Sequence, residues 1–162
     1  MATVDDLIFA LTMFAALGCG LIAGVFFAFS AFVMKALARL APREGIAAMQ
    51  AINIAVINPL FLGVFLGTAA ACAFVIISSL LRWRAGAVYS IIGATLYLVG
   101  SLMVTIFFNV PKNNALARVA PDEADSAGLW DRYVAEWTAW NHVRAVASIA
   151  AAAAFIIGMA AR

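Results

Sequence analysis

Residues 7–34 read L-I-F-A-L-T-M-F-A-A-L-G-C-G-L-I-A-G-V-F-F-A-F-S-A-F-V-M, a run of 28 residues without a charged side chain. A helix needs about 20 consecutive apolar residues to cross the hydrocarbon core of a bilayer. Three further uncharged runs follow, and they lie between Glu44 and Arg82, Arg84 and Lys112, and Arg144 and Arg162. The runs are continuous and do not alternate, which favours helices over a β-barrel. We therefore predict four membrane-spanning helices, near 7–34, 60–81, 87–108 and 143–160.

The composition of the whole chain indicates the same class. Of its 162 residues, 67% are hydrophobic and 11% are charged, whereas soluble domains average about 45–50% apolar and 25% charged residues. A soluble domain of this size has too little interior to bury so much apolar surface. The net charge is only +2 and no basic run is present. These values exclude a soluble enzyme, a disordered tail and a nucleic-acid binder.

The chain shows no internal repeat, so we expect residues 1–162 to form one integral membrane domain, an all-α four-helix transmembrane bundle. The first run is too long for a signal peptide and follows Asp5 and Asp6 rather than a cationic segment. Cys19 and Cys72 lie near the middle of two runs without a CxxC pair. We interpret them as small packed residues, which report nothing about the redox compartment.

Small residues recur along each run, at Ala16, Gly20, Gly24 and Ala28, at Gly63, Gly67 and Ala71, at Gly86, Gly93 and Gly100, and at Ala150, Ala154 and Gly158. Such stripes allow membrane helices to approach closely. One interpretation is tight packing within the bundle. The other is that Gly20 and Gly24 form the contact surface of a homo-oligomer.

The connections between the runs differ in length. The segment 38–58 contains Pro42 and then residues that favour helix, so we predict a short extra helix between spans one and two. Asn58 followed by Pro59 is typical of a helix start, with Asn58 as the cap. From Leu129 onward the pattern is helical and runs unbroken into the fourth span.

Polar residues collect at one membrane face, because successive spans alternate in direction. That face receives the end of span one, the approach to span two, the end of span three and the start of span four. Its polar residues are Ser30, Lys35, Gln50, Asn53, Asn58, Thr105, Asn109, Lys112, Asn113, Asn114, Trp137, Trp140, Asn141, His142 and Arg144. Each of these residues has a simpler explanation when it is taken alone. A tryptophan can belong to an interfacial belt, a lysine can snorkel, and an asparagine can cap a helix. Polar groups at membrane depth usually face the bundle interior or a cavity.

Helical spacing sharpens this prediction for the fourth span. Trp137, Asn141, Arg144 and Ser148 lie on one side, and Thr138 and His142 form the adjacent row. An amide, a guanidinium and an imidazole would then enter the bundle within one turn, near the positive N-terminal end of the second span. We predict an anion-stabilising region at the mouth of an apolar cavity, lined by Asn53, Asn58, Asn109, Asn141, His142 and Arg144. Four phenylalanines either wall this cavity or face lipid, namely Phe26, Phe27, Phe29 and Phe107.

Four short motifs resemble the anthrone oxygenase-like family of small membrane proteins. They are G-V-F-F-A-F-S-A-F-V-M at 24–34, M-Q-A-I-N at 49–53 followed by Asn58-Pro59, N-V-P-K-N at 109–113, and W-T-A-W-N-H-V-R at 137–144. The resemblance covers nearly the whole chain and implies a four-span bundle. It also implies an oxygenase, since named fungal members oxidise anthrones to anthraquinones with molecular oxygen and without a classical cofactor.

An anthrone carries an acidic methylene group opposite a ketone, and loss of a proton gives an enolate that reacts with oxygen. His142 suits the base, because imidazole takes up a proton near neutral pH. Arg144, helped by Asn141 or Asn109, suits stabilisation of the enolate oxygen. The other candidate substrate-binding residues are Asn53, Asn58, Asn113, Trp137, Trp140 and Ser30.

No metal ligand set is predicted, since a single histidine without packed carboxylates argues against a dedicated iron or zinc site. We expect no cofactor beyond O₂; the alternatives are a haem on His142, a quinone, or copper held by Met34 or Met49.

Three function classes remain open. They are a membrane oxidoreductase acting on a lipophilic anthrone- or quinone-like substrate, a non-catalytic binder of quinone, haem or lipid, and a small accessory subunit or transporter. The absence of an acidic residue inside the spans disfavours transport. If the chain is bacterial, the inner membrane is its expected location. The orientation stays open, because both faces carry cations.

Overall fold

The computed structural model describes residues 3–121 and 126–161, and within these ranges it contains five helices and no strand. The helices are α1 (Val4–Leu37), α2 (Pro42–Ala55), α3 (Pro59–Leu81), α4 (Ala87–Leu116) and α5 (Ser126–Ala160). Helices α1, α3, α4 and α5 are long and apolar enough to cross a membrane. This confirms the predicted fold class, with α2 as the extra helix between spans one and two.

The helix ends follow from local sequence. Asn58 caps α3, because its Oδ1 accepts a hydrogen bond of 2.9 Å from the Phe61 backbone N–H, and Pro59 is the first helical residue. Thr3 and Asp6 form a reciprocal capping box at the start of α1. Helix α5 runs unbroken for 35 residues, as the pattern from Leu129 predicts. The predicted spans cover only the apolar runs, whereas helices α1, α4 and α5 continue into the polar residues at the ends of these runs.

The spanning helices pack in a closed ring, α1 on α3, α3 on α4, α4 on α5 and α5 on α1. Glycines bring α4 and α5 close together: a methyl group on Gly93 would lie 2.9 Å from the Ala151 carbonyl oxygen, and one on Gly100 would collide with Ala147. At the short turn before α4, Gly86 has φ +81°, a left-handed conformation that favours glycine. The contacts of α3 with α4 come mainly from residues 87–103, and the two helices separate beyond them.

The other glycine stripes do not pack inside the bundle. Gly20, Gly24, Gly63 and Gly67 have open space where a Cβ would stand, so the interpretation of tight internal packing is wrong for them. The contact surface of α1 is rotated away from the four-residue stripe, and it is Gly18 that meets α3, at Thr68. Self-association through Gly20 and Gly24 stays a prediction. Cys19 and Cys72 are free thiols in the buried apolar core.

Helix α2 lies against the N-terminal half of α5, and the two helices form a second apolar cluster. Ile46 and Met49 of α2 pack there with Met34, Trp130 and Trp137. Gln50 fastens α2 to the end of α4, since its Nε2 donates hydrogen bonds to the carbonyl oxygens of Leu116 (2.9 Å) and Val119 (3.1 Å). This packing places α2 across the end of the gap between α3 and α4.

Candidate functional site

Arg144 occupies the centre of the polar end of the bundle. Its side chain projects from α5 into the interior and the residue is only 5% exposed. Nη2 donates a hydrogen bond of 2.7 Å to Asn141 Oδ1, and Nη1 donates one of 3.2 Å to Thr105 Oγ1 of α4. The guanidinium carbon lies 4.1 Å from the Phe26 ring centroid and 5.0 Å from that of Trp137. Two aromatic faces therefore stabilise the cation.

No carboxylate balances this charge within residues 3–121 and 126–161. The ion pairs there join Asp5 to Arg82 and Arg84 and join Lys112 to Glu136, and none of them involves Arg144. The Nε of Arg144 is buried and has no hydrogen-bond acceptor. A buried cation without a partner is costly, so this arrangement is typical of a site that receives an anionic or acceptor group.

Asn141 holds the guanidinium in place and joins α5 to α1. The residue is fully buried, and its Nδ2 donates to the Phe26 carbonyl oxygen at 2.7 Å and to Ser30 Oγ at 2.8 Å. Ser30 lies in a π-helical turn of α1, Phe29–Val33, and Thr105 begins another in α4, Thr105–Asn109. Such turns are frequent at functional sites.

A cavity of about 430 Å³ opens beside Arg144, in the gap between the start of α3 and the end of α4. Its volume lies within the range of pockets that bind small molecules. Five aromatic residues contribute to its walls, namely Phe26, Phe29, Phe61, Phe65 and Trp137. Its polar lining residues are Gln50, Asn53, Thr105, Asn113, Asn114 and Arg144, and no acidic residue lines it within the described part of the chain.

The buried polar atoms of this lining that lack a hydrogen-bond partner, Asn53 Nδ2 and Arg144 Nε, are both donors. Asn113 Oδ1 accepts from the Tyr133 hydroxyl (2.9 Å) and from Trp137 Nε1 (2.8 Å). Because an indole N–H can only donate, the Asn113 amide oxygen faces Trp137 and its NH₂ group faces away. Asn53 Nδ2 is buried without an acceptor. Together with Arg144 Nε, these groups suit a ligand that carries oxygen acceptors.

Several predicted site residues lie elsewhere. Asn58 caps α3 and does not line the cavity. Asn109 is buried and its Nδ2 donates to the Trp137 carbonyl oxygen at 3.2 Å, so it joins α4 to α5. Trp140 stacks on Phe108 with 3.7 Å between ring centroids, outside the cavity. Ser30 and Asn141 do not line the cavity. They are connected to it because Asn141 is hydrogen-bonded to both Ser30 and Arg144, and Arg144 lines the cavity.

The expectation that His142 lines this cavity is wrong. His142 is exposed and borders a shallow apolar groove on the outer surface between α4 and α5. Two positions along an α-helix correspond to a rotation of about 200°, so His142 and Arg144 point to nearly opposite sides. Phe27 and Phe107 are also exposed, whereas Phe26 and Phe29 line the cavity. We therefore do not assign proton abstraction to His142.

The sequence analysis did not single out Tyr133, which orients Asn113, or Phe61 and Phe65, which form part of the wall. Thr105, which it placed at this face without a role, orients Arg144. Tyr133 lies one turn before Trp137 on the buried stripe of α5, and this spacing is a signal that identifies it. Met34 and Met49 are packed in the second apolar cluster, and no group of three or more His, Cys, Asp or Glu side chains suited to a metal occurs among the described residues.

Comparison with known proteins identifies the family. A family model described as anthrone oxygenase matches residues 55–154, well over half of the chain. The match includes the motifs at 109–113 and 137–144, with Arg144 and Asn141, and starts after those at 24–34 and 49–53. No curated protein and no solved structure gives a significant match. The match supports an oxygenase-type function in general, and the chain belongs to the anthrone oxygenase family.

Proposed function

We propose that this protein is an integral membrane oxygenase that converts a flat, lipophilic aromatic ketone of the anthrone type into the corresponding quinone with O₂. The observation that carries the proposal is the buried Arg144, which has no carboxylate partner among the described residues and lies in the wall of an aromatic cavity of about 430 Å³. Membership of the anthrone oxygenase family supports the reaction class. The aromatic walls suit a planar ring system, and the donors suit its oxygen atoms.

The proposed reaction begins with the loss of one methylene proton from the substrate. The negative charge moves to the ketone oxygen, where Arg144 with Asn53 or Asn113 stabilises it. The electron-rich ring carbon then forms a bond with O₂ and gives a peroxide, which loses water to leave a carbonyl group. One oxygen atom of O₂ enters the quinone, and the other leaves as water with the two methylene hydrogens. No further oxidant or reductant is required.

The proton acceptor in this scheme is water rather than His142. Asn114 and Ala117 line the cavity and are exposed, which supports access of water to this part of its rim. Arg144 favours proton loss because it stabilises the anion and not the neutral ketone. O₂ is the only co-reactant that we propose.

A second candidate function rests on the donor lining. A quinone carries two carbonyl acceptors, so the same cavity suits a protein that binds a quinone without converting it. Both functions use Arg144 and Asn53, and they differ in whether O₂ is consumed.

The test is an assay of purified protein in detergent with an anthrone under ¹⁸O₂. We expect O₂ consumption, quinone absorbance and one labelled oxygen atom in the new carbonyl. The matched control is His142→Ala, which alters the exposed face of the same helix turn and is expected to keep the parent rate. Enzyme that binds the quinone tightly but consumes no O₂ above the protein-free rate would favour the binding function.

A further inference from the structure

We infer that the cavity binds its ligand as a monoanion, and that Asn141 is a positioning residue that keeps the charge of Arg144 available for this ligand. The inference rests on the proposed function in that the natural anion is the enolate of the substrate. It goes further, because it extends to other flat lipophilic anions and assigns a distinct role to Asn141.

Arg144 differs from the cations that form ion pairs in the described part of the chain. Lys112 pairs with Glu136, and Arg84 pairs with Asp5 at 2.7 Å, although both pairs lie where water already solvates the charges. Arg144, which is 5% exposed, has an amide at the same distance of 2.7 Å. The cation that most needs a carboxylate therefore lacks one within the described residues.

Asn141 makes contacts that fix the orientation of its amide. Its Nδ2 group donates to the Phe26 carbonyl oxygen and to Ser30 Oγ, which fixes the direction of Oδ1 toward Arg144. An aspartate here would have nearly the same shape but would neutralise the guanidinium. An amide orients the cation and leaves its charge unbalanced, so a negative ligand gains the full interaction.

The cavity has a lining that favours an anion. Its unpaired polar atoms at Asn53 and Arg144 are donors, and acidic side chains are missing from the lining that the structure describes. The aromatic residues on both sides of Arg144 exclude water from the cation, which strengthens its attraction for an anion. A flat aromatic ring with one negative oxygen group matches this combination, whereas a neutral hydrocarbon matches only the walls.

The experiment compares two probes that differ in charge, anthracene-9-carboxylate and its methyl ester. Both are titrated by fluorescence into the parent protein in a non-ionic detergent. We expect the carboxylate to bind about 10- to 100-fold more tightly than the ester, the range for a hydrogen bond to a charged group. Equal affinities in the parent protein would overturn the inference.

Two acidic variants test the role of charge from different helices. Asn141→Asp and Thr105→Asp each place a carboxylate beside Arg144, and both are expected to abolish the preference for the carboxylate probe. Thr105→Asn makes nearly the same change of shape without the charge, so the effect of the carboxylate is read as the difference in preference between Thr105→Asp and Thr105→Asn. If Asn141→Asp does not fold in thermal unfolding, Thr105→Asp decides the question. Retention of the preference in a folded acidic variant would overturn the role assigned to the charge.

The outcome also separates this inference from the proposed function. A preference for the carboxylate without O₂ consumption would support the anion site and contradict the oxygenase. If the parent protein converts an anthrone but binds both probes equally, the result would support the oxygenase and contradict the anion site.

Discussion

Replacement of Arg144 by methionine tests whether this residue serves the ligand or the fold. The change removes two hydrogen bonds from a charged donor, to Asn141 Oδ1 at 2.7 Å and to Thr105 Oγ1 at 3.2 Å. Each contributes about 1.5–3 kcal/mol, and the contacts with the Phe26 and Trp137 rings add about 0.5–2 kcal/mol each. Against these losses stands the desolvation penalty of a buried, unpaired cation, which amounts to several kcal/mol.

Because losses of about 4–10 kcal/mol oppose a desolvation penalty of several kcal/mol, we expect Arg144→Met to fold, with a free energy of unfolding only modestly below the parent value. No opposing term offsets the effect on turnover, because the enolate loses its charged hydrogen-bond donor. We therefore expect kcat to fall about 10²- to 10³-fold. Arg144→Lys keeps the charge but loses the planar fork, so its rate should lie between those of the parent protein and of Arg144→Met.

The measurements are thermal unfolding in detergent and the rate of quinone formation from an anthrone. A folded Arg144→Met protein that works at the parent rate would refute the role of Arg144 in the reaction. A variant that does not assemble would show that the guanidinium is required for the fold, contrary to the balance above.

The remaining predictions concern packing. Gly100→Ala forces a methyl group against Ala147, so its Tm should fall, whereas Gly20→Ala meets no atom within 4 Å and should leave the Tm unchanged or slightly higher. The double variant Gly20→Leu/Gly24→Leu should keep the monomer folded but reduce self-association, measured by cross-linking in membranes; an unchanged oligomer would exclude this surface. Gln50→Leu removes the hydrogen bonds to Leu116 at the end of α4 and to Val119 just beyond it. It should cost about 1–2 kcal/mol, visible as faster amide exchange in α2; unchanged protection would contradict this.

Much of the fold can be predicted from the long segments of sequence that lack charged residues. Uncharged runs long enough to cross a bilayer predict the four spanning helices, because an unpaired charge at membrane depth is expensive. The Asn58-Pro59 pair predicts the start of α3 because both residues satisfy local backbone requirements. These signals lie within a few residues of the structure they determine, so they can be recognised without knowledge of the other helices.

The rotation of each helix is harder to predict, because it depends on neighbours that are distant in sequence. The stripe of Trp137, Asn141 and Arg144 was identified correctly as one buried side of α5. His142 is rotated by about 200° from Arg144, so it faces outward once Arg144 is known to face the interior. The stripe of Gly20 and Gly24 gave the same difficulty, since equal spacing fits an internal and an external contact equally well.

The separation of α3 from α4 has a consequence for how a ligand is supplied. Ile54 and Ile57 line the cavity and are 75% and 70% exposed, on a rim as apolar as the bilayer core. A neutral substrate that passes this rim leaves hydrocarbon rather than water, so it does not shed a hydration shell before it loses its proton in the cavity. Occupancy then depends on the concentration of the ligand in the bilayer, which equals its aqueous concentration multiplied by its partition coefficient. Affinities measured in detergent should therefore shift with the ratio of micelle volume to water, and they should be compared at a fixed mole fraction of ligand in the micelle.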